Sequence, residues 1–211
     1  MTDNLRSVNF FNFLISILAG ICISFGGLAF LSAGSPLGAI LFSFGLCCVI
    51  VFKMKLFTGM AGIVKFTGKD FLNLFIALIG NIIGCFIIGN LIAKSSLLPV
   101  QDAAQSIIEA RISAGFIKCF LLSIGCGFIV DVSVRSAKEN KWVVLLLGIP
   151  TFILCGFPHC IADAFYMSAA PINFMKDNLQ TILINYAAIV LGNSVGCNFY
   201  RIFTLVNPSD K

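Results

Sequence analysis

The sequence predicts an all-α membrane protein, with six transmembrane helices in a 3+3 inverted repeat whose second and fifth helices are broken. Three observations carry that prediction. The 211 residues are 59% hydrophobic and only 11% charged, where a soluble domain carries about 25% charge, and the mean hydropathy is +1.02. Uncharged runs recur at Ser7–Phe52, Phe71–Ala93 and Asn178–Tyr200. Each is long enough to cross a hydrocarbon core of about 30 Å as helix. Finally, two short motifs occur in the same order in both halves of the chain, and paired interruptions of this kind point to a transport site.

Six spans follow, roughly Phe10–Leu31, Leu37–Phe66, Phe71–Ala93, Ser113–Val134, Trp142–Ala170 and Leu179–Phe203. Their apolar runs are continuous, unlike the alternating strands of a membrane barrel. The first follows a weakly charged N-terminus and leads into further spans, which reads as a retained helix rather than a cleaved signal. The second is interrupted at Phe57-Thr58-Gly59, and the fifth at Phe157-Pro158-His159. These two interruptions are taken as counterparts. Gly80-Asn81-Ile82-Ile83-Gly84 in the third span matches Gly192-Asn193-Ser194-Val195-Gly196 in the sixth. Small residues four apart let helices approach closely, and Asn bonds across helices, so packing is the role expected of both elements.

The repeat is therefore three spans long. An odd number of spans makes the second copy enter from the opposite face, which inverts it. One domain over residues 1–211 is expected, with repeat one at about 8–94, repeat two at about 113–204 and a hydrophilic connector from Lys94 to Ile112.

Lys and Arg in short loops set orientation. With the N-terminus inside, Arg6, Lys65, Lys69, Arg135, Lys138, Lys141, Arg201 and Lys211 fall on the cytoplasmic side. Only Lys94, Arg111 and Lys176 fall opposite. A multi-pass protein of the cell membrane with both termini cytoplasmic is expected, and the formal charge of +5 reads as topology rather than as a nucleic-acid surface. All nine cysteines lie within spans and none forms a CxxC pair. They read as small hydrophobes at packed faces, not as a disulfide framework.

Backbone can break inside a membrane only where the freed groups are buried in protein or line a cavity. At the first break Thr58 is expected to cap a short helix beginning at Met60, with Gly59 relieving strain. At the second, Pro158 suits a first helical turn. Two helix N-termini would then face the protein centre, with free N–H donors and partial positive charge, and that arrangement favours an anion.

His159 is the only histidine, and an ionisable side chain at that depth is a functional-site candidate. It either satisfies itself against Thr58 or a carbonyl, or meets a weak-acid anion that it hydrogen-bonds or protonates. Asp163 follows it at i+4, so the two side chains are expected to interact. Lys53 and Lys55 flank the first break, where they either make the approach positive or snorkel to the interface. A soft-metal site at Cys155, His159 and Cys160 lacks any matching partner in the first half, so no metal or cofactor is expected.

At Ala19-Gly20, Gly26-Gly27, Leu56-Phe57-Thr58-Gly59, Gly80-Asn81-x-x-Gly84, Gly156-Phe157-x-His159 and Gly192-Asn193, the chain resembles the formate/nitrite transporter family over nearly its whole length. The resemblance implies a homopentamer with one pore per protomer, with Thr58 and His159 facing each other at the pore centre. It implies apolar constrictions on either side, drawn from Phe42, Leu46, Phe57, Val130 and Phe152. It also makes Lys53, Lys55, Arg111 and Asp163 the vestibule or tuning charges. The chain departs from the family pattern at several points: Lys55 stands for an acid, Pro158 for Glu and Asp163 for Asn. Arg111 stands for the vestibule Lys, and Gly127 for an Asn.

The expected function is passage of a small monovalent weak-acid anion, formate first, then nitrite or hydrosulfide, with proton coupling left open. The expected partners are that anion, further copies of the chain and the lipid bilayer. An aquaporin-like architecture also allows a neutral-solute pore, but the Asn-Pro-Ala pair of such pores is absent. A membrane enzyme using His159 and Asp163 as acid and base would lack a nucleophile, metal set or cofactor motif.

Overall fold

Long apolar runs leave the backbone one way to satisfy itself in lipid without closing a barrel, and the chain takes it: every regular element among the described residues is helical. The computed structural model describes residues 2–62 and 67–206, with side chains over 9–62 and 67–202. The expected end of the second span at Phe66, the side chain of Arg6, and Lys65 and Lys211 lie outside this description.

In order, the helices are α1 Thr2–Ala33, α2 Leu37–Val51, α3 Phe57–Met60, α4 Gly68–Lys94, α5 Leu98–Lys138, α6 Trp142–Leu154, α7 Cys160–Ala169, α8 Ile172–Asp177, α9 Leu179–Gly196 and α10 Phe199–Val206. Among the described residues, four stretches are long and apolar enough to cross a membrane: Asn9–Ala33, Gly68–Lys94, Leu98–Lys138 and Leu179–Ile202. The apolar helices α2 and α6 are shorter. Each is followed by an extended stretch and then another helix. Large apolar side chains such as Phe11, Phe44, Phe75, Leu147 and Leu183 stand exposed on the outer faces, on a scale that a water-facing surface rarely shows.

α1 packs against α2 and α4, and α5 packs against α6 and α9, while α7 threads between α4 and α5. Small residues make the closest approaches. A Cβ on Gly84 would land on the Ile17 carbonyl oxygen of α1, and one on Gly196 on the Ile124 carbonyl oxygen of α5. Gly80 and Gly192 sit one turn earlier against the same helices. In both pairs contacts advance together along the two chains, so α4 runs parallel to α1 and α9 parallel to α5.

The structure corrects four details of the sequence reading. The connector from Lys94 to Ile112 is mostly helical, because Val100–Arg111 holds no breaker and buries Val100, Ala104 and Ile108 on one face. It runs on to Gly115, whose φ of 71° and ψ of 175° kink α5 in a region open essentially to glycine alone. The last span divides at Cys197–Asn198 into α9 and α10. α3 begins at Phe57 with Leu56 in the N-cap position, so Thr58 lies inside the helix rather than capping it. Finally, Pro158 precedes the N-cap of α7 instead of entering its first turn.

Alanine at Gly84 or Gly196 would overpack these crossings and is expected to cost about 1–3 kcal/mol, read as a fall in thermal midpoint of the detergent-solubilised protein. Gly68→Ala, where an added Cβ meets nothing within 4 Å, is the control that should stay near wild type.

Candidate functional site

Two buried asparagines hold the ends of the two short inner helices. Asn81 of α4 is wholly buried. Its Oδ1 accepts the Phe57 N–H that opens α3 (2.8 Å), and its Nδ2 donates to the carbonyls of Ser16 (2.7 Å) and Lys55 (2.9 Å). Asn193 of α9 repeats the pattern around α7. Its Oδ1 accepts from Cys160 N–H (2.8 Å), and its Nδ2 donates to Ser123 O (2.9 Å) and Pro158 O (3.0 Å). Two thiols add a second matching set. Cys85 Sγ donates toward Gly20 O and Ile161 O, and Cys197 Sγ toward Gly127 O and Thr58 O.

These frames make Phe57 the counterpart of Cys160, and Thr58 the counterpart of Ile161. The sequence pairing of Phe57-Thr58-Gly59 with Phe157-Pro158-His159 is thus three residues out of register. By bonding position His159 answers to Leu56. Asn81 and Asn193 also do more than pack helices, and Cys85 and Cys197 do more than fill space. The available signal was their polarity within otherwise apolar runs, which is costly unless used.

His159 is the N-cap of α7, with its Nδ1 accepting from Ala162 N–H at 3.2 Å. A backbone N–H only donates, so the ring that keeps this cap is neutral and carries its proton on Nε2. Nε2 lies 3.0 Å from Thr58 Oγ1, and both residues are buried. The Thr58 hydroxyl therefore accepts from His159 and retains its own hydrogen to donate.

Around that pair most of the other expected residues divide between two cavities at opposite ends of α2. Phe42 meets Phe152 edge-on at 6.1 Å between ring centroids, and Phe152 lies 5.8 Å from the His159 ring. Phe152, His159, Arg111 and Asp163 line a cavity of about 260 Å³ near the C-terminal end of α1. Leu46, Lys53 and Lys55, with Lys138, line a second cavity of about 540 Å³ at the C-terminal end of α2. Phe42, Phe57 and Val130 are buried and line neither cavity.

Asp163 does not pair with His159. Its carboxylate faces Arg111 Nε at 3.0 Å, and Arg111 Nη1 also donates to Gly156 O at 3.2 Å. The two residues come from α5 and α7, and nothing in their sequence spacing signalled the contact. At Gly127 a Cβ would strike the Asn193 carbonyl oxygen, so no asparagine fits there.

The family model described as "Formate/nitrite transporter" matches residues 9–206. The chain belongs to the formate/nitrite transporter family. Similar curated proteins include "Formate channel FocA" of Haemophilus influenzae, 26% identical over 74% of this chain and 65% of that one. "Formate-nitrite transporter" of Entamoeba histolytica is 28% identical over 89% of this chain and 61% of its own length. "Uncharacterized transporter YrhG" of Bacillus subtilis is 26% identical over 66% of this chain and 59% of its own. The chain thus spans less than two thirds of the length of these relatives, which are named as channels and transporters, not enzymes. Among solved structures, a "Pentameric formate channel with formate bound" superposes with a TM-score of 0.83 at 22% identity, covering 98% of this chain and 99% of that one. An "FNT family ion channel" gives 0.78 at 19%, covering 99% and 100%. The all-helical fold is that of the family's channels.

Asn193→Leu keeps the volume but strands the Cys160 N–H and the Pro158 carbonyl, at about 1–3 kcal/mol for each orphaned group. Thermal unfolding in detergent should register a loss of at least about 2 kcal/mol. Arg111→Met leaves the buried Asp163 carboxylate unpaired and is expected to cost about 3 kcal/mol, whereas the double variant Arg111→Met/Asp163→Met should recover most of that loss. Denaturation of the two variants side by side checks it.

Proposed function

We propose that the chain is a transmembrane channel for a small monovalent weak-acid anion, with formate the first candidate and nitrite and hydrosulfide next. In this reading α2 with α3 and α6 with α7 are two broken spans that complete six crossings in a 3+3 inverted repeat. Five copies assemble, each with its own pore, in the cell membrane with both termini cytoplasmic. The names of the formate-channel relative and of the formate-bound pentamer support the solute and the assembly.

The observation that carries the reading is the Thr58–His159 hydrogen bond (3.0 Å) between two cavities. Leu46 borders one cavity, and Phe152, which Phe42 meets edge-on, borders the other. An anion crossing such apolar necks loses hydration and needs a donor at the centre. Thr58 supplies its hydroxyl hydrogen. That bond is polarised by His159 Nε2–H behind it, and His159 is in turn held by the N-terminus of α7. The neutral ring serves as a donor and positions Thr58. It carries no spare proton to hand over, so proton coupling, where it occurs, uses protons carried by the solute or by water.

Flux into proteoliposomes tests the reading. Wild-type protein should pass formate, nitrite or hydrosulfide selectively over larger or divalent anions. Thr58→Val, which keeps the shape and removes the donor, should lower that flux roughly 10- to 100-fold, the value of a hydrogen bond to a charge. His159→Ala should lower it comparably by freeing Thr58 from its partner. Flux equal to wild type in both variants would remove the central pair from the mechanism.

A further inference from the structure

Among the described residues, the net charge of this protein lies at one end. At the end where α2 finishes, the described bases Lys53, Lys55, Lys69, Arg135, Lys138, Lys141 and Arg201 outnumber Asp70, Asp131 and Glu139. At the other end Lys94, Arg111, Lys118 and Lys176 are matched in number by Asp102, Glu109, Asp163 and Asp177. The pairing within each mouth sharpens this contrast. In the first mouth the acids are already engaged, Asp131 with Arg135 at 2.7 Å and Glu139 with Lys141 at 2.7 Å, while Asp70 receives the Thr67 N–H at the start of α4. Lys53, Lys55 and Lys138 line the 540 Å³ cavity, and no ion pair forms to any of the three among the described residues. In the second mouth the cation lining the cavity, Arg111, is neutralised by Asp163, which lines it too.

Resting on the channel reading above, we propose that the Lys53/Lys55/Lys138 cavity is an anion antechamber with no counterpart at the other mouth, so that the pore rectifies. Lysines on a low-dielectric cavity wall raise the local concentration of a monovalent anion and its rate of entry, by about 10-fold or more at low ionic strength. The Arg111–Asp163 mouth gives no such gain. Net flux still vanishes at equal electrochemical potential, as it must in a passive pore. The asymmetry appears as a curved current–voltage relation, with anions entering more readily from the lysine mouth. If the lysines served only to orient the protein during insertion, conduction would be symmetric.

The test is single-pore recording in planar bilayers, with equal sodium formate on both sides. At about 10 mM salt, where the screening length is about 30 Å, one polarity should carry roughly threefold more current or better, and at 1 M, where it is about 3 Å, the ratio should fall near unity. Lys53→Gln/Lys55→Gln/Lys138→Gln, all at solvent-accessible positions, should bring the low-salt ratio near unity. The ratio does not depend on how many pores are active. A symmetric wild-type current at low salt, or rectification that survives 1 M salt or the triple substitution, overturns the antechamber while leaving the channel standing. Absence of formate current overturns the antechamber, and absence of formate flux into proteoliposomes as well overturns the channel reading itself.

Discussion

In a hydrocarbon layer a backbone N–H or C=O left without a partner costs several kcal/mol, and the centre of this protein is organised around that penalty. α3 and α7 both begin inside the bundle, where helix starts leave N–H groups unclaimed. Asn81 and Asn193 answer this from neighbouring helices, each accepting the first N–H of the inner helix and donating to the carbonyl two residues before it. Each also ties the break to a third helix through Ser16 or Ser123. Glycines 84 and 196 make these bonds geometrically accessible by letting the asparagine-bearing helices lie against α1 and α5. The close packing and the polar clamp are therefore one device.

The Thr58–His159 pair is built on that device. Because α7 starts where Asn193 fixes it, the side chain that caps it is His159, and its Nδ1 is spent on Ala162 N–H. The tautomer follows from the cap, and the direction of the Thr58 bond follows from the tautomer. Thr58 is itself placed by α3, whose origin Asn81 fixes. The orientation of the Thr58 hydroxyl is thus inherited from two asparagines that do not line either cavity.

Much of the architecture was legible in the sequence because lipid imposes a simple grammar on it. Uncharged runs of about 20 residues anticipated the helices long enough to cross, and the lone histidine at depth proved to be a buried, hydrogen-bonded helix cap. What could not be read was any feature set by partners far away in the chain. The starts of α3 and α7 are decided by asparagines 24 and 33 residues downstream, and local capping rules therefore misplaced both. Asp163 lies one turn from His159, and only the fold brings Arg111, 52 residues earlier, close enough to claim it. The two Gly-Asn elements that bear the matching clamps were visible, but the register of the segments they hold was not, because those segments share bonding positions rather than residue types.

Gly115 separates two kinds of sequence freedom. On one side of this joint, residues 98–114 form a helix that carries Arg111 to the cavity rim. On the other, α5 continues into the bundle and packs α6 and α9. A chain that turns at a residue with left-handed φ does not transmit helical register across it. Substitutions that rotate or lengthen the rim segment can therefore alter what the mouth presents without shifting Ser123, Gly127 or the clamp they serve. Such a joint lets the rim be redrawn residue by residue while the hydrogen bonds at the middle of the bundle keep their own geometry.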